Sequence, residues 1–543
     1  MTLITMMLPL LLLPLVGLAI DGGRLYIVNS KLSAAVDGAA LGAGRLLGTN
    51  ANIPELAAEF LKANFPDGYW SSHALQYNIN YTTNLGVQTI AIYATVDLPL
   101  TFARLTGNTD SLVSASGVAT RRVTRLMLVL DRSGSMNNTD PVTGANVFTS
   151  MKAGATWFAS QFTPNYDELG LVIFNGSAIV AYPETRPWDP SPSGVGGPDK
   201  TFATNPQTQT GQIFDMLNAM AVGGGTGTAE ALAMAWIEMQ KTHAHDLAAN
   251  GFDNTLNTIV LFTDGVPDAV ATYFNNPAAP HNTLKAFGPI DNTHSPCTNN
   301  PATGVVTTQM KGYIVAGGNA LGPGPKNTGW GSSYGALRLF GYDTSQSLTN
   351  WVGNTGANDF TKTSPNGAFV NCKYLGQGGP NGITDMQDMV KIPDLDLYGS
   401  STHTNAYSNS QMFDGTNTWS PNTASYVAAT PATTSNAGGV WDGSGGNHTA
   451  LPYMIAAAAW NATDSIGKTI RTQNIMNQVQ IFTIGYTNNG GTDLALMNRL
   501  ANTPQSTSYI ATEPVGKFYS VNTTTELIAA FNQVASSILR LAQ

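Results

Sequence analysis

Hydrophobic positions along the chain fall into three patterns, and each predicts a different kind of element. The first is an uncharged apolar run, Met1–Ile20, about the length of a membrane-spanning helix. Apolar residues then recur at Leu25, Val28, Leu32, Ala35, Ala39, Ala43 and Leu46. That spacing is helical, so one long helix is expected from Met1 to about Leu47. The second pattern is alternation. Ala74–Tyr81, Gly86–Leu98 and Leu112–Thr120 are rich in Tyr, Ile, Val and Thr and read as three strands, the first two joined by a turn at Thr83-Asn84. With a short helix over Ile53–Phe65, opened by Pro54, they predict a small α+β module. The third pattern is the unbroken apolar run: Leu126–Leu130 and Thr258–Phe262 look like strands buried on both faces, as in parallel sheets covered by helices.

Between and after those two runs the pattern continues as strand and helix. Helices are expected over Phe148–Phe162, Gly211–Met220 and Ala229–Lys241, and strands over Leu169–Phe174 and Ala178–Tyr182. A Pro- and Gly-rich loop spans Pro183–Pro206. Helix Leu451–Arg471, strand Val479–Tyr486, helix Leu494–Leu500, strand Phe518–Val521 and an amphipathic helix Thr524–Leu541 close the chain. The stretch from Val266 to about His448 breaks this rhythm. It is dense in Gly, Asn, Thr, Ser and Pro with scattered Trp and Tyr, and is too long for an ordinary connection. Low charge and aromatics point to a partly folded insertion, expected as a cap beside the ligand edge of the sheet. The expected divisions are 1–20 (transmembrane helix), 21–121 (long helix and small module), 122–265 (first part of an α/β domain), 266–448 (insertion) and 449–543 (its second part).

The candidate chemistry sits where the buried runs end. The first stops at Asp131, followed by Ser133 and Ser135. Loops at the carboxyl ends of parallel strands are where open α/β sheets bind ligands, and one carboxylate with two hydroxyls suits a hard cation such as Mg²⁺. A second loop, Gly223–Thr228, reads Gly-Gly-Gly-Thr-Gly-Thr and enters a helix, placing Thr226 near its start. The second buried run ends in Thr263-Asp264-Gly265. In this order and spacing the three loops resemble the von Willebrand factor type A domain with a metal-ion-dependent adhesion site. The resemblance implies a Rossmann-like α/β fold, a mostly parallel sheet flanked by helices. It also implies that Ser133, Ser135 and Thr226 present hydroxyls to an Mg²⁺ or Mn²⁺ ion. Asp131 and Asp264 would supply the carboxylates, partly through water, and a partner's carboxylate would complete the coordination.

Composition narrows the setting. Of 543 residues only 11% are charged, against about 25% in typical soluble proteins. The net charge of −9 argues against nucleic acid or an anionic membrane face as partner. Cys297 and Cys372, the only two cysteines, could pair in an oxidising compartment or be unrelated thiols. The apolar leader is either an anchor or a cleaved signal peptide, with small residues at Gly17-Leu18-Ala19 before a possible cut. Continued helical spacing and the absence of a basic start favour the anchor. Arg24 and Lys31 taken literally place the following region in the cytoplasm, whereas low charge and a possible disulfide favour the outside, which is the orientation expected. The span, then Asp21-Gly-Gly-Arg24-Leu-Tyr, then Leu32-Ser-Ala-Ala-Val-Asp37-Gly-Ala-Ala-Leu, is similar to the leader of TadE/TadG-like proteins. That resemblance implies a bacterial envelope protein of the Tad (Flp) pilus assembly machinery.

Rival chemistries are weaker. Gly331-Ser-Ser333-Tyr-Gly335 matches G-x-S-x-G but lacks the strand and helix that would hold a nucleophile on a strained turn. Asp394 and Asp396 read as solvated, as do His73, His243 and His245. The expectation is therefore a non-enzymatic protein that binds a pilus or envelope partner through its ion. A structural component whose metal only fixes loops, or a metal-dependent hydrolase, are the alternatives.

Overall fold

The computed structural model describes residues 2–49, 51–176, 178–183, 198–223, 225–274, 450–488 and 491–542, with strand segments 310–315, 336–343, 368–372, 412–413 and 418–419. The chain divides into two units. The first comprises Met1–Val123, Phe252–Thr255 and Leu539–Gln543, the second Thr124–Gly251 and Leu256–Ile538.

In the first unit the expected long helix is present as α1 (Thr2–Gly44), followed by α2 (Ile53–Asn64), which has Pro54 in its opening turn. Strands β1 (Gln76–Asn84), β2 (Val87–Pro99) and β3 (Asp110–Arg121) form an antiparallel sheet in that order. The turn between β1 and β2 falls at Leu85-Gly86, not at Thr83-Asn84. Both turn residues have positive φ, 49° and 78°, the backbone twist that two-residue hairpins favour. Glycine at the second position permits it. The helical spacing read from the sequence is the packing face: Val28, Leu32, Ala35, Ala39 and Ala43 are buried against Ile90, Ile92, Val96 and Val113, with Leu25 and Leu46 at the edge of the cluster.

The polar residues of the leader have their own work. The carboxylate of Asp21 accepts the backbone N–H groups of Thr101, Phe102 and Ala103 at 2.8–2.9 Å. Burial pushes its pKa up, but those three donors outweigh it and hold the acid below its usual range. Arg24 donates to the Pro99 carbonyl, the Thr101 hydroxyl and the Trp70 carbonyl. Among the described residues no helix is long and apolar enough to cross a membrane. The expected span, 1–20, falls mostly on positions whose side chains lie outside the described set.

The second unit is built on a six-stranded sheet. In chain order it has β4 (Thr124–Asp131), α3 (Val147–Ala159), β5 (Glu168–Phe174), β6 (Ala178–Tyr182), α4 (Ile213–Ala219), α5 (Thr228–Asn250) and β7 (Leu256–Thr263). Strands β8 (Ala269–Phe274), β9 (Met310–Val315), β10 (Ala336–Asp343) and β11 (Ala368–Cys372) belong to the insertion. They form a separate antiparallel sheet. A short hairpin, β12 (Met412–Phe413) and β13 (Thr418–Trp419), follows. The chain closes with α6 (Ala450–Thr472), β14 (Val479–Tyr486), α7 (Leu494–Leu500), β15 (Phe518–Val521) and α8 (Thr524–Ala542).

Neighbouring strands in the main sheet run β15-β14-β7-β4-β5-β6. All adjacent pairs are parallel except the last, β5 with β6. Every residue of β4, β5 and β7 is buried, as strands covered on both faces must be. Phe531 of α8 packs on Phe158 of α3 and Phe262 of β7, with ring centroids 6.0 and 6.1 Å apart. The mostly parallel, helix-flanked sheet expected from the sequence is thus observed. From β4 the chain moves outward through β5 and β6, then returns to place β7 on the other side of β4. That reversal is the topological switch point at which open α/β sheets bind ligands.

Candidate functional site

Asp131 is the last residue of β4, and the parallel register puts Leu130 beside Phe262 of β7. The carboxyl ends of the two central strands therefore bring Asp131, Thr263 and Asp264 to one place. All three are fully buried. The Thr263 hydroxyl donates to Asp131 Oδ2 at 2.6 Å, and the Ser133 backbone N–H donates to Oδ1 at 2.7 Å. Ser133 Oγ lies 3.0 Å from Ser135 Oγ, which in turn donates to Asp264 Oδ1 at 2.7 Å. A tight 3₁₀ turn, Gly134–Asn137, bends the chain so that both hydroxyls face the acid pair.

Thr226 arrives from the third loop. A Cβ built on Gly265 would lie 3.2 Å from Thr226 Oγ1 and 3.8 Å from Ser135 Oγ. The missing side chain at Gly265 thus leaves a cradle lined by the Thr226 and Ser135 hydroxyls. All five residues singled out in the sequence, Asp131, Ser133, Ser135, Thr226 and Asp264, converge here. Thr226 precedes α5 by two residues, its helix beginning at Thr228.

Residues that sequence reasoning passed over hold these loops. The Asp268 carboxylate accepts the Thr226 N–H at 2.5 Å, while the Asp268 N–H donates back to the Thr226 carbonyl at 3.0 Å. Burial pushes Asp268 above the usual carboxylate range, against the hydrogen bond from Thr226. Buried Asn175, at the end of β5, donates its amide to the Gly223 carbonyl at 2.8 Å, and its own carbonyl accepts the Gly227 N–H. A Cβ at Gly227 would sit 2.7 Å from the Gly176 carbonyl oxygen, so only glycine lets the loop approach β5 this closely. The signals were present as Asn175-Gly176 and Val266-Pro267-Asp268, but nothing local marks them as partners of a loop some fifty residues away.

The electrostatics define what the arrangement can do. Burial, then repulsion from Asp264, push Asp131 up to about 7, while hydrogen bonds from Thr263 and Ser133 pull the other way. Two carboxylates enclosed with hydroxyls form an oxygen-only donor set, the kind hard divalent cations take. The residues present therefore fit such an ion. The other expected candidates do not gather. His243 and His245 lie toward the end of α5, and His245 sits 3.2 Å from the Asp246 carboxylate. His73 is 3.9 Å from Asp110. Among the described residues no group of three or more His, Cys, Asp or Glu comes together. Ser333, Asp394, Asp396 and Cys297 lie outside the described residues, as does the side chain of Cys372.

Residues 1–46 match the Flp pilus-assembly TadE/G-like family model. The chain carries a TadE/G-like leader. No curated protein matches the chain. Solved structures that match include the PilB minor pilin from Streptococcus sanguinis, 12% identical over 87% of this chain and 79% of that one, with a TM-score of 0.32. The vWF domain of the type V pili tip protein Mfa5 from Porphyromonas gingivalis is 14% identical over 78% and 97%, at 0.30. A von Willebrand factor type A structure from Catenulispora acidiphila is 15% identical over 35% and 33%, at 0.19. Likeness at these scores fixes neither site nor partner; the sheet order and the loops described above stand on their own.

Proposed function

We propose that this TadE/G-like chain is a membrane-anchored envelope protein that grips a partner in pilus assembly or surface adhesion. It would do so through one divalent ion, Mg²⁺ or Mn²⁺, held by Asp131, Ser133, Ser135, Thr226 and Asp264. The observation that carries this reading is the convergence of three separate loops on one buried, all-oxygen cradle at the sheet's switch point. A bound cation would offset the repulsion between the two buried carboxylates, and would leave a position for a partner's carboxylate. The chain's own residues do the rest: Thr263 and the Ser133 amide orient Asp131, Asp268 fixes Thr226, and Asn175 braces the glycine loop.

The apolar leader would hold the chain in the membrane with its folded units outside the cytoplasm, where Cys297 and Cys372 could pair. In this reading the cradle carboxylates are taken up by the ion, so the site acts as a grip. The test is capture of envelope partners by the intact, detergent-solubilised chain in Mg²⁺, in EDTA, and with Asp131→Ala. Capture lost under both perturbations supports the reading. Capture unchanged in EDTA would leave a protein whose ion, if any, only fixes loops.

A further inference from the structure

We infer that β1 is a self-complementary edge through which two copies of this chain join their three-stranded sheets. β1 is the outer strand of its sheet, and among the described residues no strand pairs with its free side. Exposed edges of this kind are usually guarded by lysine, proline or a bulge. β1 has none of these: Gln-Tyr-Asn-Ile-Asn-Tyr-Thr-Thr-Asn carries no charge and no proline, and its nine pairs with β2 run without a register shift.

The sequence itself indicates the occupant. Tyr77-Asn78-Ile79-Asn80-Tyr81 reads the same in both directions. An antiparallel pair is related by a two-fold axis, and a two-fold interface requires residue i to face j while j faces i. Centred on Ile79, the pairing sets Ile79 against Ile79, Tyr77 against Tyr81, and Asn78 against Asn80. Successive side chains alternate between faces. The register with β2 places Tyr77, Ile79 and Tyr81 on the face of buried Ala94, Ile92 and Ile90. There Tyr77 and Tyr81 remain 39% and 37% exposed, and the pairing would bring them together as cross-strand aromatic pairs. Asn78 and Asn80 lie on the opposite, exposed face and would meet as amides. Neither strand carries a charge, so none is set against a like charge; the Lys62 ammonium of α2 lies over the Tyr77 ring, 5.5 Å from its centroid. Main-chain hydrogen bonds along the free edge supply the rest. This joining does not depend on the ion, so it stands or falls separately from the metal site.

The experiment is sedimentation of the full chain in neutral detergent micelles with EDTA present, over a range of protein concentration. The wild-type chain is expected to show a monomer–dimer equilibrium. Asn78→Lys with Asn80→Lys sets two pairs of like charges opposite one another, and should weaken dimerisation by about tenfold or more. Asn78→Lys with Asn80→Glu sets unlike charges opposite and should restore it. Both positions are exposed, so the fold should survive; circular dichroism checks this. Oxidation of Ile79→Cys, with Cys297→Ser and Cys372→Ser, should give a covalent dimer. A chain monomeric at every concentration, a double-lysine variant that dimerises as wild type does, or an Ile79→Cys variant that fails to cross-link would each overturn the inference.

Discussion

Replacing Asp131 by asparagine should have opposite effects with and without a divalent ion. In the metal-free chain, burial and the Asp264 carboxylate raise Asp131 from 3.8 to about 7. For an acid raised in this way, folding binds the proton more tightly than the unfolded chain does. The penalty is absent below about pH 4, grows between pH 4 and 7, and is complete above that. At roughly 1.4 kcal/mol per pH unit, the rise corresponds to about 4 kcal/mol of lost stability at pH 8. Asp131→Asn cannot ionise, so it escapes the penalty; its one oxygen can still accept the Ser133 amide, while its NH₂ replaces Oδ2 and turns the Thr263 hydroxyl from donor to acceptor. At about 2 °C or more per kcal/mol for a domain of this size, the variant in EDTA at pH 8 should melt roughly 8 °C above wild type, the gap closing toward pH 4. Saturating Mg²⁺ should raise the wild-type melting temperature and leave the variant nearly unmoved. Differential scanning fluorimetry across pH, in EDTA and in Mg²⁺, reads both effects. A variant no more stable than wild type in EDTA at pH 8 would refute the electrostatic reasoning.

Asp268→Ala removes the acceptor that fixes the Thr226 amide and should weaken Mg²⁺ binding about 10- to 100-fold, as loss of an orienting partner commonly does; equal affinity by calorimetry would contradict that role. Phe531→Ala empties a fully buried site between Phe158 and Phe262 and should cost about 3–5 kcal/mol in denaturant unfolding; a loss under about 1 kcal/mol would mean the site collapses freely. Asp140 takes hydrogen bonds from the Thr524 and Val142 amides and from the Thr143 and Thr524 hydroxyls. Burial raises its pKa, but these donors outweigh it and hold the acid well below its usual range. Its contribution to stability should be full above the unfolded pKa and fade as pH falls below it. Asp140→Asn should therefore destabilise the chain at neutral pH and progressively less in acid. A difference from wild type that stays constant down to pH 2 would contradict this.

Much of the fold is written in local pattern. The unbroken runs ending at Asp131 and Thr263 announce buried parallel strands, and the Ala-rich spacing of α1 announces its sheet-facing stripe. The five cradle residues were legible because each stands directly after such a run or before a helix. What was not legible is long-range. The order β7-β4-β5, which makes neighbours of Asp131 and Thr263, is set by how helices cover the sheet. Asp268 looks like the start of a polar insertion and becomes a brace only because β8 begins beside Thr226. The hairpin turn was misplaced by two residues because Asn84 resembles a turn former, whereas the register with β2 keeps it in the ladder opposite Val87.

The account rests most directly on whether the cradle binds an ion. Titration calorimetry of the full, detergent-solubilised chain with Mg²⁺ and with Mn²⁺ measures this without reference to any partner. The expected result is one ion per chain through Asp131, Ser133, Ser135, Thr226 and Asp264, abolished by Asp131→Ala and weakened less by Ser133→Ala, which removes a hydroxyl but no charge. The absence of binding by the wild-type chain, or binding that Asp131→Ala leaves intact, would contradict it.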